Sequence, residues 1–314
     1  NYYIGGGNLN FFKGDRRISI IGLSNNVNQQ NFSAQDLIGA GATQGGFGRA
    51  GGGRGGGRGG FGRGGAQNNP SDMNNFFVGQ QGGVSTTHAI GLNYADSWGR
   101  KIKISGSYFF NKTGNDNSTS LTRNYINQND SGLTYIESGK SESDNNNHRF
   151  NLRLEYNIDS ANTIILTPKI NLQKNGSNSD LLGNSIRSEN VLESISMNVS
   201  SADNTAYTAS SNLLYQHKFA RKGRTFSINM NTDINDKTGQ GHLDYTSQYF
   251  NPFDFSFARQ QSGQSTKGYT LSSALTYTEP VDSNSQLQFT YSPSLTNNKT
   301  DKQVSNFNPI SGDY

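Results

Sequence analysis

A side-chain period of two recurs along this chain and limits what it can fold into. Between Arg224 and Asn235, Phe226, Ile228, Met230 and Ile234 fall on one side, and Thr225, Ser227, Asn229, Asn231, Asp233 and Asn235 on the other. The same alternation sets Phe150, Leu152, Leu154 and Tyr156 against Asn151, Arg153 and Glu155, and Ile102, Ile104, Tyr108 and Phe110 against Lys101, Lys103, Ser105 and Ser107. Successive residues of a strand point to opposite faces, so each segment reads as a strand with one apolar and one polar face. A soluble sheet hides its apolar face under a second layer of core. A chain that is 31% hydrophobic, against the ~45% usual in globular domains, has little from which to build that layer. Lipid can take its place.

The rest of the composition narrows the class further. With 16% charged residues the chain is unlike an ordinary disordered protein, and its polarity comes from Asn, Ser, Gln, Thr and 38 Gly. Much of the apolar surface comes from 18 Phe and 15 Tyr, the mixture that a barrel with a hydrated lumen and aromatic girdles requires. No apolar run approaches the ~18 residues of a spanning helix, so any membrane crossing is by strands. The chain has no cysteine, which removes disulfides, thiolate nucleophiles and cysteine metal sites. It opens at Asn1 directly in strand-like sequence, which is read as a segment of a longer exported protein. The net charge of +4 says little about partners, because much of it lies in one loop.

Short polar turns punctuate the alternating segments at residues 13–15, 96–100, 159–162, 220–223 and 280–284, where Gly, Pro, Asn and Asp supply hairpin reversals. Long polar stretches fall between the hairpins, at roughly 31–83, 113–147, 176–203 and 237–266, with a polar tail after 298. The strict alternation of short turn and long connection predicts an all-β fold: a partial transmembrane antiparallel β-barrel of about ten strands, with short periplasmic turns and long extracellular loops. The expected hairpins are 2–12 with 16–28, 84–95 with 101–112, 148–158 with 163–174, 205–218 with 224–236, and 267–279 with 285–297. In the first of them both faces are apolar in part, which predicts a bulge near Gly22. Pro168 and Pro293 lie inside strand segments, which predicts strand ends or bulges there. A soluble sandwich would place loops of comparable length at both ends. Residues 1–314 are thus one barrel segment, with residues 33–83 a long Gly/Arg-rich extracellular loop.

Several residues stand out as candidates for function. The loop carries Arg49, Arg54, Arg58 and Arg63 with Phe47 and Phe61 and no acidic residue between 39 and 65. Alone, that composition binds single-stranded nucleic acid; between two strands it reads instead as a plain flexible loop, with a loop that attracts anions or gates a ligand as the second reading and lipopolysaccharide phosphates as one anionic neighbour. The stretch 241–257 collects Tyr245, Tyr249, Phe250, Phe253, Phe255 and Phe257, which can stack on a ligand or form a small loop core. Lys103, Arg149, Arg153, Glu155 and Asp233 fall on polar faces and are expected to line the lumen as a hydrated ion-pair network. Trp98, the single tryptophan, falls in a short turn and is expected at the periplasmic interface. His88, His148, His217 and His242 have no metal-like spacing, and no Ser, His and acid constellation is legible. No enzyme activity, metal or cofactor is expected.

The run 16–33, Arg-Arg-Ile-Ser-Ile-Ile-Gly-Leu-Ser-Asn-Asn-Val-Asn-Gln-Gln-Asn-Phe-Ser, with Asp36-Leu37 after it, the Gly-rich insertion, and Gly-Leu-Asn-Tyr-Ala-Asp at 91–96 resemble the barrel portion of the TonB-dependent receptor-like outer-membrane proteins of Bacteroidota. The resemblance implies a roughly 22-stranded barrel closed around an N-terminal plug and energised through an inner-membrane complex. It also implies uptake of a ligand too large for porins, with contacts to outer-membrane lipid and lipopolysaccharide and to a surface lipoprotein. No plug or energising box is recognisable here, so uptake is an expectation for the parent protein. The alternative is a structural or passive outer-membrane barrel, or a scaffold subunit of a surface secretion or adhesion complex.

Overall fold

The computed structural model describes residues 2–27, 82–126, 132–187, 190–250, 252–282 and 285–314. Among these, eleven strands follow one another: β1 (Ile4–Lys13), β2 (Arg16–Asn25), β3 (Val84–Trp98), β4 (Ile102–Asn124), β5 (Thr134–Asn157), β6 (Asn162–Arg187), β7 (Val191–Lys218), β8 (Thr225–Phe250), β9 (Phe253–Pro280), β10 (Gln286–Tyr291) and β11 (Ser294–Asn306). They form one antiparallel sheet in which each strand pairs with the next, β10 and β11 both pairing with β9. The sheet is open, with β1 at one edge and β10 and β11 at the other. The expected short turns all connect strands at one end of it. The Gly/Arg loop, with Arg49, Arg54, Arg58 and Arg63, lies outside the described residues.

The long polar connections do fall at the opposite end, but three of them are hydrogen-bonded hairpin arms. β4 and β5 pair without interruption from Ile102↔Tyr156 to Asn124↔Thr134, and β8 and β9 from Thr225↔Thr278 to Phe250↔Phe253. β6 and β7 run as far, with a register shift between Ser185 and Ile186. Alternation marks a strand only while one face is apolar; in Ser138–Asp144 and Ser177–Asp180 both faces are polar, yet the backbone continues its ladder.

No bulge forms near Gly22. The registers of β1 with β2 and of β2 with β3 are continuous, and Gly22 pairs with Gly7 and Ile90. The doubled apolar pattern arises because both faces of β2 are covered: Ile20 pairs with Leu92, while Ile21 and Leu23 pack on the other face against Ala89 and Phe109. Of the two prolines, Pro168 is inside β6 with no bulge, whereas Pro293 falls, as expected, at a strand break, between β10 and β11. Around Pro168 the β5 ladder stops after Asn151↔Lys169 and resumes at Leu154↔Leu166 in the same register. Pro293 splits what is otherwise one strand: Tyr291↔Leu275 and Ser294↔Ser272 share a register, and the Ser273 amide donates to the Pro293 carbonyl at 3.0 Å. Proline lacks the N–H, so each ladder loses a rung, and the flanking pairs hold the line.

Cross-strand partners share a face, so the registers sort every side chain onto one of two surfaces. On one of them a transverse row runs Trp98, Ile102, Tyr156, Ile164, Tyr215, Ile228, Leu275 and Tyr291. Farther from the turns a second row of the same face runs Leu9, Ile20, Leu92, Tyr108, Phe150, Ile170, Ala209, Ile234 and Tyr269. Ile104, Leu154, Leu166, Leu213 and Met230 lie between them. On β6 to β9 this apolar band covers nine residues of each strand: 164–172, 207–215, 226–234 and 269–277. Nine residues are what a tilted strand needs to cross a bilayer. Beyond the band the arms continue, in β6 from 174 to 187, or ~45 Å at ~3.3 Å per residue.

The turn ends are fixed by side chains as well as by glycine. Gly14, Gly99 and Gly223 take positive φ, which only glycine adopts freely. In the 158–161 turn, the Asp159 carboxylate accepts from the amides of Ala161 at 2.8 Å and Asn162 at 2.7 Å and from the Asn162 side chain at 2.8 Å. The Asn162 side chain, more than the backbone amides, holds the Asp159 carboxyl below its ordinary value. Across the next turn, Glu279 accepts from Arg224 at 2.7 Å, Arg221 at 2.8 Å and Tyr277 at 2.6 Å. Level with the turn and clear of the apolar band, its carboxyl is held down to about 2, first by the Arg224 hydrogen bond and then by Tyr277. A depressed carboxyl stabilises the fold above its ordinary pKa and loses that contribution as the pH falls toward the folded value. Glu279→Gln should therefore lower the thermal midpoint at pH 6 relative to wild type, and the two curves should converge as the pH falls from about 4.5 to about 2. A gap that stayed constant across that range would show that Glu279 acts by packing alone.

Candidate functional site: the polar face of the sheet

Glycines apart, the buried residues lie on the face opposite the apolar band. They are Asn25, Ser85, Thr87, Thr113, Asn115, Asn147 and Ser247, with Ala89 and Phe109 as the only buried hydrophobics among the described residues. The large hydrophobics are exposed on the other side: Ile90 at 47%, Tyr269 at 47% and Trp98 at 51%. This is the inverse of a soluble sheet, in which the apolar face is the buried one.

Side chains on the polar face bond across the strands. The Asn115 amide donates to Ser85 Oγ at 2.7 Å, Asn151 to Ser107 Oγ at 3.2 Å and Gln173 to Asn145 Oδ1 at 2.9 Å. The Asn212 amide reaches both Asn229 and Asn231, the latter at 2.7 Å. Hydroxyl pairs continue the pattern at Thr266 with Thr300 (3.2 Å), Thr270 with Thr296 (3.3 Å) and Thr276 with Thr290 (3.4 Å). Asn93 Nδ2 and the Oδ1 atoms of Asn147, Asn171, Asn198 and Asn235 find no protein partner on this face. Buried amides of this kind are satisfied by water or by a polar solute. The face can therefore hydrogen-bond a hydrated or polyhydroxyl solute, with few fixed charges to hold one by ion pairing. Sequence parity had marked individual polar residues, but only the register reveals the ladders.

The structure places Lys103, Arg149, Arg153, Glu155 and Asp233 on this face. It brings three of them together: Glu155 lies 3.6 Å from Lys103 Nζ and 3.6 Å from Arg153. Asp233 is three strands away, paired in register with Ser210 and Thr270. Trp98 ends β3 on the apolar face, its indole N–H donating to Tyr94 Oη at 3.3 Å, with Arg16 bonded to Asp96 at 2.8 Å beside it. The aromatic stretch is divided between faces. Phe250, Phe253, Phe255 and Phe257 share the face of the apolar band, Phe255 and Phe257 with centroids 6.2 Å apart, while Tyr245 and Tyr249 share the polar face. Only residues 251–252 lie between the strands, so the stretch is a hairpin tip and not an open loop.

Three of the four histidines make hydrogen bonds: His88 to Ser24 Oγ at 2.9 Å, His148 to Tyr108 Oη at 2.9 Å and His217 to Asn162 Oδ1 at 2.7 Å. Among the described residues no group of three or more His, Cys, Asp or Glu is placed to hold a metal.

No family model and no curated protein matches this chain. Among solved structures, the P. putida toluene transporter TodX aligns with 96% of this chain and 82% of its own at 9% identity, with a TM-score of 0.20. A likeness that low carries no argument about fold or function.

Proposed function

We propose that the chain forms part of the wall of an outer-membrane β-barrel that binds and takes up a ligand, in the manner of the TonB-dependent receptor-like proteins its sequence resembles. The observation that carries this reading is the apolar band. It lies on the exposed face, spans nine residues on each of β6 to β9, and has aromatic residues along both margins, the arrangement by which a barrel wall meets lipid. A soluble sheet with this face exposed would lack any second layer, since the polar face is the one that is buried. The polar face then lines water, and its amide and hydroxyl ladders are the surface a solute meets. The energising inner-membrane complex and a surface lipoprotein are partners of the parent protein under this reading.

Nitroxide labels placed singly at 226–234 test it. Positions 226, 228, 230, 232 and 234 should be accessible to a lipid-soluble quencher, and 227, 229, 231 and 233 to a water-soluble one. Loss of the two-residue alternation would sink the reading.

A further inference from the structure

Beyond the band, on the same outward face, the first residue is basic on several adjacent strands: His88 on β3, Lys112 on β4, His148 on β5 and Lys174 on β6. The register puts His88, Lys112, Asn146 and Lys174 in one transverse row, with His148 one step nearer the band. Lys112 and Lys174 are exposed, and no carboxylate lies within ion-pair distance of either among the described residues. The arginines at the turn-side margin differ, since Arg16 is ion-paired with Asp96 and both Arg221 and Arg224 with Glu279. The lysine pair is two strands apart, ~10 Å between backbones, so both ammonium groups can reach one phosphate. His148 already donates to or accepts from Tyr108 and stacks at 4.7 Å on Phe110, which ties the row to the aromatic margin.

We propose that Lys112 and Lys174, flanked by His88 and His148, bind the phosphate of a lipid headgroup whose acyl chains lie along the apolar band. The inference rests on the reading of that band as lipid-facing. Its chemistry is that of a phosphomonoester held between two cations at the edge of a low-dielectric surface, where screening is weaker than in open water. Asp144 and Asp203 begin one row farther out, so the cationic zone is one headgroup deep.

The test uses the protein in zwitterionic detergent with added lipid A, bound lipid being counted by native mass spectrometry. Lys112→Gln with Lys174→Gln should weaken lipid A retention about tenfold at low salt, whereas Lys13→Gln, which removes a cation at the turn-side margin, should leave it unchanged. Equal retention by the lysine double variant and wild type would overturn the proposal, as would equal loss in Lys13→Gln. Displacement of lipid A by millimolar inorganic phosphate would assign the site to free anion and overturn the lipid source. Nitroxide labels that fail to alternate at 226–234 would instead refute the lipid-facing band itself, so the two failures are distinguishable.

Discussion

Leu154→Arg is expected to destabilise the sheet in lipid by roughly 2 to 4 kcal/mol, while Asn151→Arg, three residues away on the other face, is expected to cost far less. Leu154 lies in the row of Ile104, Leu166, Leu213 and Met230, between the two aromatic margins and so at the depth farthest from water. A guanidinium there must be buried in hydrocarbon or must drag water and headgroups inward, and either costs free energy. Asn151 sits beside Ser107 on the polar face, where the added charge remains hydrated. Urea titration of the protein refolded into vesicles would measure both. Similar costs for the two variants would mean that the faces do not differ in their solvent, and the membrane reading would fail with them.

The turn positions are legible because Gly, Asn, Asp and Pro punctuate them: the segments expected to meet at 13–15, 96–100, 159–162, 220–223 and 280–284 do so within three residues. The arms are not. From Lys140 to Asp144 and from Gly176 to Asp180 every position is polar or glycine, so a period of two leaves no trace in hydropathy even though the chain remains in strand. Backbone pairing there is decided by the neighbouring strand, which a single-sequence pattern does not contain. Gly22 shows the opposite failure. Two overlapping apolar alternations there have the pattern of a slipped strand, but Ile21 and Leu23 answer Ala89 and Phe109 some seventy to ninety residues later in the chain.

For the candidate site, parity alone placed Lys103, Arg149, Arg153, Glu155 and Asp233 on one face, because a side-chain period of two leaves no freedom once a strand is fixed. Which of them meet depends on register. Lys103 faces Glu155 because Ile102 pairs with Tyr156, an offset that the sequence does not print. The aromatic stretch at 241–257 forms one cluster in sequence, where its residues are close together. A two-residue tip between paired strands instead sends alternate residues to opposite faces and separates Tyr245 and Tyr249 from the four phenylalanines.

Gly91→Val should destabilise the sheet by about 1 to 3 kcal/mol, and Phe109→Ala in the same chain should recover part of that loss. Phe109 is 7% exposed and is the largest apolar side chain buried on the polar face. It can lie there because its cross-strand partner is glycine: a Cβ at Gly91 would come within 2.5 Å of Phe109 Cε1 and 2.8 Å of Cδ1. An aromatic ring covering a cross-strand glycine shields the exposed backbone that glycine leaves. A valine must push the ring off Ala89 and toward Ile21 and Leu23, whose contacts with it make up the small apolar cluster of this face. Phe109→Ala alone removes that cluster's largest member and should also destabilise. The two losses should therefore be less than additive in the double variant, because the clash that makes Gly91→Val costly no longer exists. Strict additivity in a double-mutant cycle of urea unfolding would mean that the ring and the glycine are energetically independent, and the packing account of Gly91 would be wrong.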